Sequence, residues 1–198
     1  MTTTHSPLRS PEMLALLGAR RSAKPALLSE PGPTAGELER MLTVAARVPD
    51  HKKLVPWRFI VFEGEARRAF GEVLAEVCAQ EESEPSDVRL ATERGRFLQA
   101  PLVVGVISRA VETPGAPEWE QILSAGAAAF NLCLAANAMG YATCWLTQWY
   151  SYSNGVRSAL GLAVNERIVG FVYVGTATEC QPDRERPSLA DIVTRYPG

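Results

Sequence analysis

Residues 124–141 read SAGAAAFNLCLAANAMGY. The centre, Ala125 to Ala138, is apolar nearly all round rather than along one stripe, and a helix of that kind is buried on most of its faces. Its many small side chains let another helix or a flat ligand come close. With its flanks the helix is predicted over 117–141, ending at Gly140-Tyr141. Trp57 to Phe62 is β-rich and mostly apolar and reads as an interior strand, ended by Gly64. Leu102 to Ser108 (LVVGVIS) is a second buried strand. Ala142 to Leu146 and Ile168 to Val174 (IVGFVYV) are two more. Helices alternating with central strands predict one layered α/β (α+β) domain.

The other elements follow from local signals. Ser10-Pro11-Glu12 starts a helix, with an N-cap, a first-turn proline and an acid near the positive end of the dipole. Met13, Leu16 and Leu17 form its apolar stripe, which ends near Arg20. Pro25 to Pro33 is a turn-rich connector. Thr34-Ala35-Gly36-Glu37 is a capping box; it opens a helix with Leu38, Met41, Leu42 and Ala45 on one face, stopped by Pro49. Residues 65–82 form a third helix, with Phe70, Val73, Leu74 and Val77 toward the core. Residues 83–95 are polar and read as loop plus a loose helix. Short helices are expected over 153–160 and 188–194. The division is a flexible N-terminus, 1–10, and a single domain, 11–198, without internal repeats.

Composition excludes several classes. The chain has 198 residues, 46% hydrophobic and 21% charged, enough for one domain with a substantial core. A net charge of −2 and a pI near 5.8 give no basic surface for nucleic acid. Cys78, Cys133, Cys144 and Cys180 are scattered without a C-x-x-C, and His5 and His51 are the only histidines, so a structural zinc site is not expected. Cys133 and Cys144 read as small buried hydrophobes. Residues 1–10 lack a signal-peptide core, and no run reaches the ~18 apolar residues of a membrane span. The expected location is the cytoplasm. No G-x-G-x-x-G follows a strand, and no P-loop, G-x-S-x-G or H-E-x-x-H is present. A nicotinamide cofactor must therefore use a site built on something else.

Four segments carry candidate chemistry, each beside an ordinary explanation. Arg20-Arg21-Ser22 is either a basic helix end or a phosphate clamp, in which guanidinium groups grip oxygens and the hydroxyl donates once more. Arg47 and His51 are either a helix-end arginine and a surface histidine, or a loop closing over a ligand. His51 then bonds that ligand or supplies a proton near neutrality. Thr143-Cys144-Trp145-Leu146-Thr147 is either a plain buried strand or a strand end set against a cofactor ring, with Trp145, Leu146 and Thr147 nearest. Pro182-Asp183-Arg184-Glu185-Arg186-Pro187 is either a solvated charge run or a further arm of the clamp through Arg186, with Arg184 second.

In order along the chain stand RRS (20–22), VPDH (48–51), PWRF (56–59), FEGEARRAF (62–70), APL (100–102), PEWEQ (117–121), SAGAAAFNLCLAANAMGY (124–141) and IVGFVYVGT (168–176). In content and spacing this series resembles the nitroreductase family, closest to its short bacterial NAD(P)H nitroreductases, from Leu14 to about Tyr196. The resemblance implies a central mixed, mostly antiparallel sheet flanked by helices, a long buried central helix, and a domain-swapped homodimer holding two FMN molecules at its interface. One subunit is implied to give Arg20, Arg21, Ser22 and Trp145 to Thr147 to an FMN, with Arg186 joining the phosphate clamp. The other gives Arg47 and His51. NAD(P)H is the implied co-substrate in ping-pong turnover, with nitroaromatics, quinones or other small acceptors taking the hydride.

The sequence departs from the family pattern at two places. Lys24 replaces a common arginine and loses its planar fork, and Leu146 stands where a basic residue is frequent. The short 109–118 region implies an open acceptor pocket. Alternative readings are a flavin-binding sensor or store without turnover, a dehalogenating or flavin-processing relative, and a structural dimer.

Overall fold

Five strands form one sheet in the computed structural model, which describes residues 9–197. The elements are α1 (Pro11–Ala19), β1 (Leu28–Ser29), α2 (Ala35–Ala45), β2 (Trp57–Glu63), α3 (Glu65–Glu81), α4 (Asp87–Gly95), β3 (Leu102–Ser108), α5 (Glu118–Ala138), β4 (Ala142–Leu146), α6 (Asn154–Ala159), β5 (Arg167–Ala177) and α7 (Leu189–Ile192). The strand order is β1-β5-β3-β2, with β4 also on β5. The long β5 is the hub: β3 runs along one edge, while β4 and then β1 share the other. Every pairing among the described strands is antiparallel. Among the described residues the sheet therefore has no parallel pairing; apolar runs specify burial but not strand direction.

Period-two alternation divides the core between the two faces of the sheet. Val103 and Ile107 of β3 join Phe171 and Tyr173 of β5 on one face. Leu102, Val104 and Val106 join Val172 and Val174 on the other. The first face is covered by α3 and α6 and is rich in rings: Phe97 packs edge-on to Phe62, Phe70, Tyr150 and Phe171, with centroids 4.7–6.0 Å apart. Gly105 makes room there, since a Cβ would sit 3.2 Å from the Phe171 ring. The second face is covered by α2 and α5 through Met41, Ala45, Ala129, Leu132, Cys133 and Ala136. Burial pushes the Cys133 thiol up to about 11, so it stays protonated and packs as a hydrophobe.

By length and composition α5 is a helix that could cross a bilayer, yet half of that window is buried inside the fold, against α2 and the sheet. It is the core helix the sequence describes. The capping box of α2 is present: Thr34 N–H donates to Glu37 Oε2 at 2.8 Å and Glu37 N–H to Thr34 Oγ1 at 3.3 Å. Tyr141 OH adds a third bond to the same carboxylate, at 3.0 Å.

Several expectations are revised. β2 is the sheet's outer strand within this chain rather than an interior one; its apolar sequence reflects cover on both faces. The 25–33 connector holds β1, paired to Thr176 and Ala177. Residues 83–95 contain a capped helix, α4, whose only buried residue is Glu93. Polarity made the expected helix look loose, because its inward residue is a carboxylate held by Arg89, Arg96 and the Trp149 indole. No residue of α1 is buried, so the Met13–Leu17 stripe faces outward in the single chain. The expected flexible segment, 1–10, lies mostly outside the described residues.

Phe97→Ala removes a fully buried ring from the aromatic cluster and is expected to cost about 3–5 kcal/mol in urea unfolding. The Glu37 carboxyl lies below its ordinary 4.5, first through the Thr34 backbone N–H, then through the Thr34 and Tyr141 hydroxyls. A depressed carboxylate contributes stability that is present above its unfolded pKa and lost as pH falls through the folded one. Glu37→Gln is expected to flatten that part of the acid limb below about pH 4.5 in a stability–pH profile.

Candidate functional site

The chain leaves α1 at Arg20 and is tied at once to the sheet, where Ala23 N–H donates to the Thr143 carbonyl of β4 at 2.9 Å. This anchor sets Arg20-Arg21-Ser22 beside the first residues of β4 and the middle of α5. The Arg20 guanidinium lies 6.0 Å from the Phe130 ring centroid, and its Nη1 donates to Ser22 Oγ at 3.4 Å. Arg21 donates to the Ser22 carbonyl at 2.9 Å and to the Pro182 carbonyl at 3.3 Å. From the other side Arg186 donates to the Arg20 carbonyl at 3.3 Å and pairs with Asp183 at 2.8 Å. The C-terminal tail is thereby drawn onto the RRS segment. Arg184 joins through its backbone only, donating to Asp183. The Asp183 carboxyl is held below the usual range, first by that Arg184 N–H and then by Arg186. Among the described residues neither Arg20 nor Arg21 has a carboxylate partner. Two half-buried guanidinium groups stand beside a hydroxyl, neither in a salt bridge, though Arg21 is near enough to Asp183 to help lower its carboxyl; such donors suit an anion.

On β4, Trp145 lies with its indole over Gly170, where a Cβ would come within 2.2 Å of Nε1; Nε1 donates to the Val169 carbonyl at 3.4 Å. The ring is 37% exposed rather than a core plug. Leu146 turns into the aromatic core. Thr147 Oγ1 accepts from Tyr152 OH at 3.2 Å. A groove of about 650 Å³ runs between α5 and β5, lined by Gly126, Ala127, Phe130, Ile168 and Val169 among others. A Cβ on Gly126 would meet nothing within 4 Å, so the floor is open.

The 49–56 loop is separate. Arg47 ends α2 with an exposed side chain, and its carbonyl accepts from Asn131 of α5 at 3.1 Å. His51 Nδ1 lies 2.8 Å from Glu120 Oε2, with both side chains half exposed. Both line a cleft of about 370 Å³ with Pro49, Pro56, Leu123 and Ala127. Lys52, Lys53 and Val55 have φ of 62°, 55° and 49°, an unfavourable region, most of all for a β-branched residue. Asp50 holds the loop, accepting from Leu54 N–H at 2.9 Å and Val55 N–H at 3.0 Å. Lys52 Nζ donates to the Pro114 carbonyl at 2.5 Å, and the Arg109 guanidinium grips the Val55 carbonyl at 3.0 Å. Asp50 and Lys52 are thus loop-forming, as expected.

In one chain the predicted residues fall into two groups. Arg20, Arg21, Ser22 and Arg186 gather beside Phe130 of α5, with Trp145 on Val169 of the neighbouring groove wall and Arg47 bonded to Asn131. Leu146, by contrast, turns to the aromatic core and Thr147 to Tyr152. His51 sits at Glu120, ten residues earlier, or about 15 Å along the helix axis. Glu120 was not legible as a site residue, because an acid in the first turn of a helix has an ordinary dipole explanation.

Comparison with known proteins decides the family. The profile described as "Nitroreductase family" matches residues 17–176. The chain belongs to the nitroreductase family. It is 38% identical over 165 residues to "Putative NAD(P)H nitroreductase YdjA" of Escherichia coli K12, covering 83% of this chain and 88% of that one. A Haemophilus influenzae relative carrying the same description without a gene name is 36% identical over 169 residues, 85% of this chain and 90% of the other. Among solved structures, a nitroreductase-like family protein from Bacillus cereus superposes with a TM-score of 0.83 at 21% identity, over 100% of both chains. The FMN and NADPH-dependent nitroreductase NfnB superposes with a TM-score of 0.72 at 19% identity, over 93% of this chain and 99% of that one. Family and relatives make this nitroreductase an oxidoreductase.

Removing the Asp50 carboxylate should free the strained loop. In Asp50→Ala, hydrogen exchange at the Leu54 and Val55 amides is expected to accelerate by an order of magnitude or more, while β3 and β5 amides keep wild-type protection.

Proposed function

We propose that this nitroreductase is an FMN-dependent NAD(P)H oxidoreductase that passes hydride to a nitroaromatic, a quinone or another small acceptor. The convergence of Arg20, Arg21, Ser22 and Arg186 beside an open groove carries the proposal. The Arg20 and Arg21 guanidinium groups, in no salt bridge among the described residues, suit a phosphate monoester together with the Ser22 hydroxyl, and a groove floored by Gly126 and Ala127 suits a flat ring. The residues present therefore fit FMN. Bound there, FMN would supply the hydride relay, taking hydride from NAD(P)H and handing it to the acceptor in ping-pong fashion.

The chain's own residues bind and orient. Arg20, Arg21 and Arg186 hold negative charge at one end. Trp145 lies next to the groove's sheet wall, its indole bonded to the Val169 carbonyl, and backbone N–H groups at the end of β4 would stabilise negative charge on a reduced ring. His51, about 15 Å away along α5, and Arg47, whose carbonyl accepts from Asn131 of α5, would face the FMN of a second subunit. The homodimer is further supported by apolar surface on one side of the chain. Met13, Leu17, Val44, Leu123 and Phe130 are all exposed, and a cleft of about 450 Å³ opens between α1, α2 and α5. Apolar area of this kind marks an interaction surface. Four free thiols suit a reducing compartment, the cytoplasm.

The first experiment is an absorbance spectrum of the purified protein, before and after anaerobic NADH or NADPH. Yellow protein bleached by either nucleotide supports the reading; colourless protein that ignores added FMN overturns it. Arg20→Ala and Arg21→Ala are each expected to weaken FMN binding by about 1.5–3 kcal/mol with unchanged far-UV circular dichroism. FMN affinity equal to wild type in both variants refutes the clamp.

A further inference from the structure

The 49–56 loop is a strained segment that its surroundings over-determine, and strain of that kind collects at working sites. Its restraints use up nearly all the polar groups of the His51 cleft. Both Asp50 carboxylate oxygens accept loop N–H groups. Ser124 Oγ donates to the Pro49 carbonyl at 2.5 Å. Gln121 donates to the Val111 and Ala116 carbonyls and accepts from Val111 N–H. The other walls, Pro49, Pro56, Leu123 and Ala127, are apolar. His51 and Glu120 remain, bonded to each other through Nδ1 at 2.8 Å. His51 Nε2 has no protein partner among the described residues.

We propose that Glu120 is a positioning residue: its carboxylate holds the Nδ1–H of His51, so that Nε2 is the nitrogen offered to the oxygen of an aromatic acceptor lying in this cleft. A carboxylate only accepts, so the nitrogen facing it carries hydrogen in both the neutral and the protonated ring. The bond at one nitrogen thus sets the role of the other. Apolar walls with one polar atom suit a flat ring with an oxygen at its edge, as in a quinone. The protonated ring donates Nε2–H to a quinone carbonyl, and the neutral ring accepts from the hydroxyl of the reduced product. The balance closes: NAD(P)H loses a hydride, the quinone gains it together with the Nε2 proton, and NAD(P)⁺, hydroquinone and neutral His51 result. Solvent reaches the half-exposed ring and restores the proton. Of the charged groups nearby, Glu120 approaches from α5, while Asp50 and Lys52 of the same loop are engaged with backbone.

This proposal rests on the oxidoreductase reading, and its test has one arm that does not. Histidine-selective ¹⁵N NMR at about pH 8, where the free side chain is neutral, is recorded on the wild type, Glu120→Gln and Glu120→Leu. His51→Gln identifies the signal. The Nδ1–H form is expected in the wild type and in Glu120→Gln, whose amide oxygen still accepts. Glu120→Leu is expected to revert to the Nε2–H form that free imidazole side chains prefer. In turnover with 1,4-benzoquinone, Glu120→Leu is expected to raise KM about tenfold, more than it lowers kcat, with Glu120→Gln restoring KM. An Nε2–H wild type overturns the proposal, as does Glu120→Leu leaving the tautomer or the quinone KM unmoved. Protein that binds no FMN instead overturns the functional reading, and the NMR arm still reports on the His51–Glu120 pair.

Discussion

Burying α5 is the constraint on which the rest of the structure depends. A helix apolar nearly all round demands cover on every side, and the sheet with α2 covers only part of it. Ala125, Ala128, Ala129, Leu132 and Ala136 are inside, while Leu123 and Phe130 are exposed. The uncovered side is where both clefts and the open groove lie. In the single chain this side stays open in the same place where the candidate residues lie. A helix built of small residues serves both ends, since Gly126 and Ala127 keep the groove shallow enough for a flat ring.

The two halves of the site are held in different ways. The RRS segment is fixed by long-range contacts: Ala23 on β4, then Pro182 and Arg186 from a tail more than 150 residues away. Its guanidinium groups form no salt bridge among the described residues, with Asp183 near Arg21 but bonded to Arg186, an arrangement that leaves donors for an incoming anion. The His51 loop is fixed locally, by side chains that cap a backbone with three positive φ angles in four residues. A rigid loop presenting one ring nitrogen is a preorganised contact, whereas a mobile one would lose ordering entropy on each binding event.

Much was legible in the sequence, and what was not has identifiable causes. The strands at 102–108 and 168–174 and the capping box at Thr34 and Glu37 are local patterns and appear as expected. The edge position of β2 was not legible, because an apolar strand covered on two faces looks the same wherever it stands in the sheet. α4 was obscured because its buried side chain is Glu93, satisfied by Arg89, Arg96 and Trp149, a network that composition reads as surface. At the candidate site, the residue types of the proposed clamp were visible, since hydroxyl and guanidinium chemistry is written in RRS itself. Glu120 was not, for its meaning comes only from His51, 69 residues earlier.

The sequence alone determined most of the elements, the buried faces of α2, α3, β3 and β5, and the family, because periodicity, capping and ordered motifs are properties of neighbours in the chain, while β1 and the outward stripe of α1 were not legible. Tertiary structure decided the antiparallel pairing, the meeting of Arg186 with Arg20, the division of the site into two groups along α5, and the pairing of Glu120 with His51. Each of these depends on groups far apart in the chain whose separation in space is set by packing α5 across the sheet, and no local pattern encodes that distance.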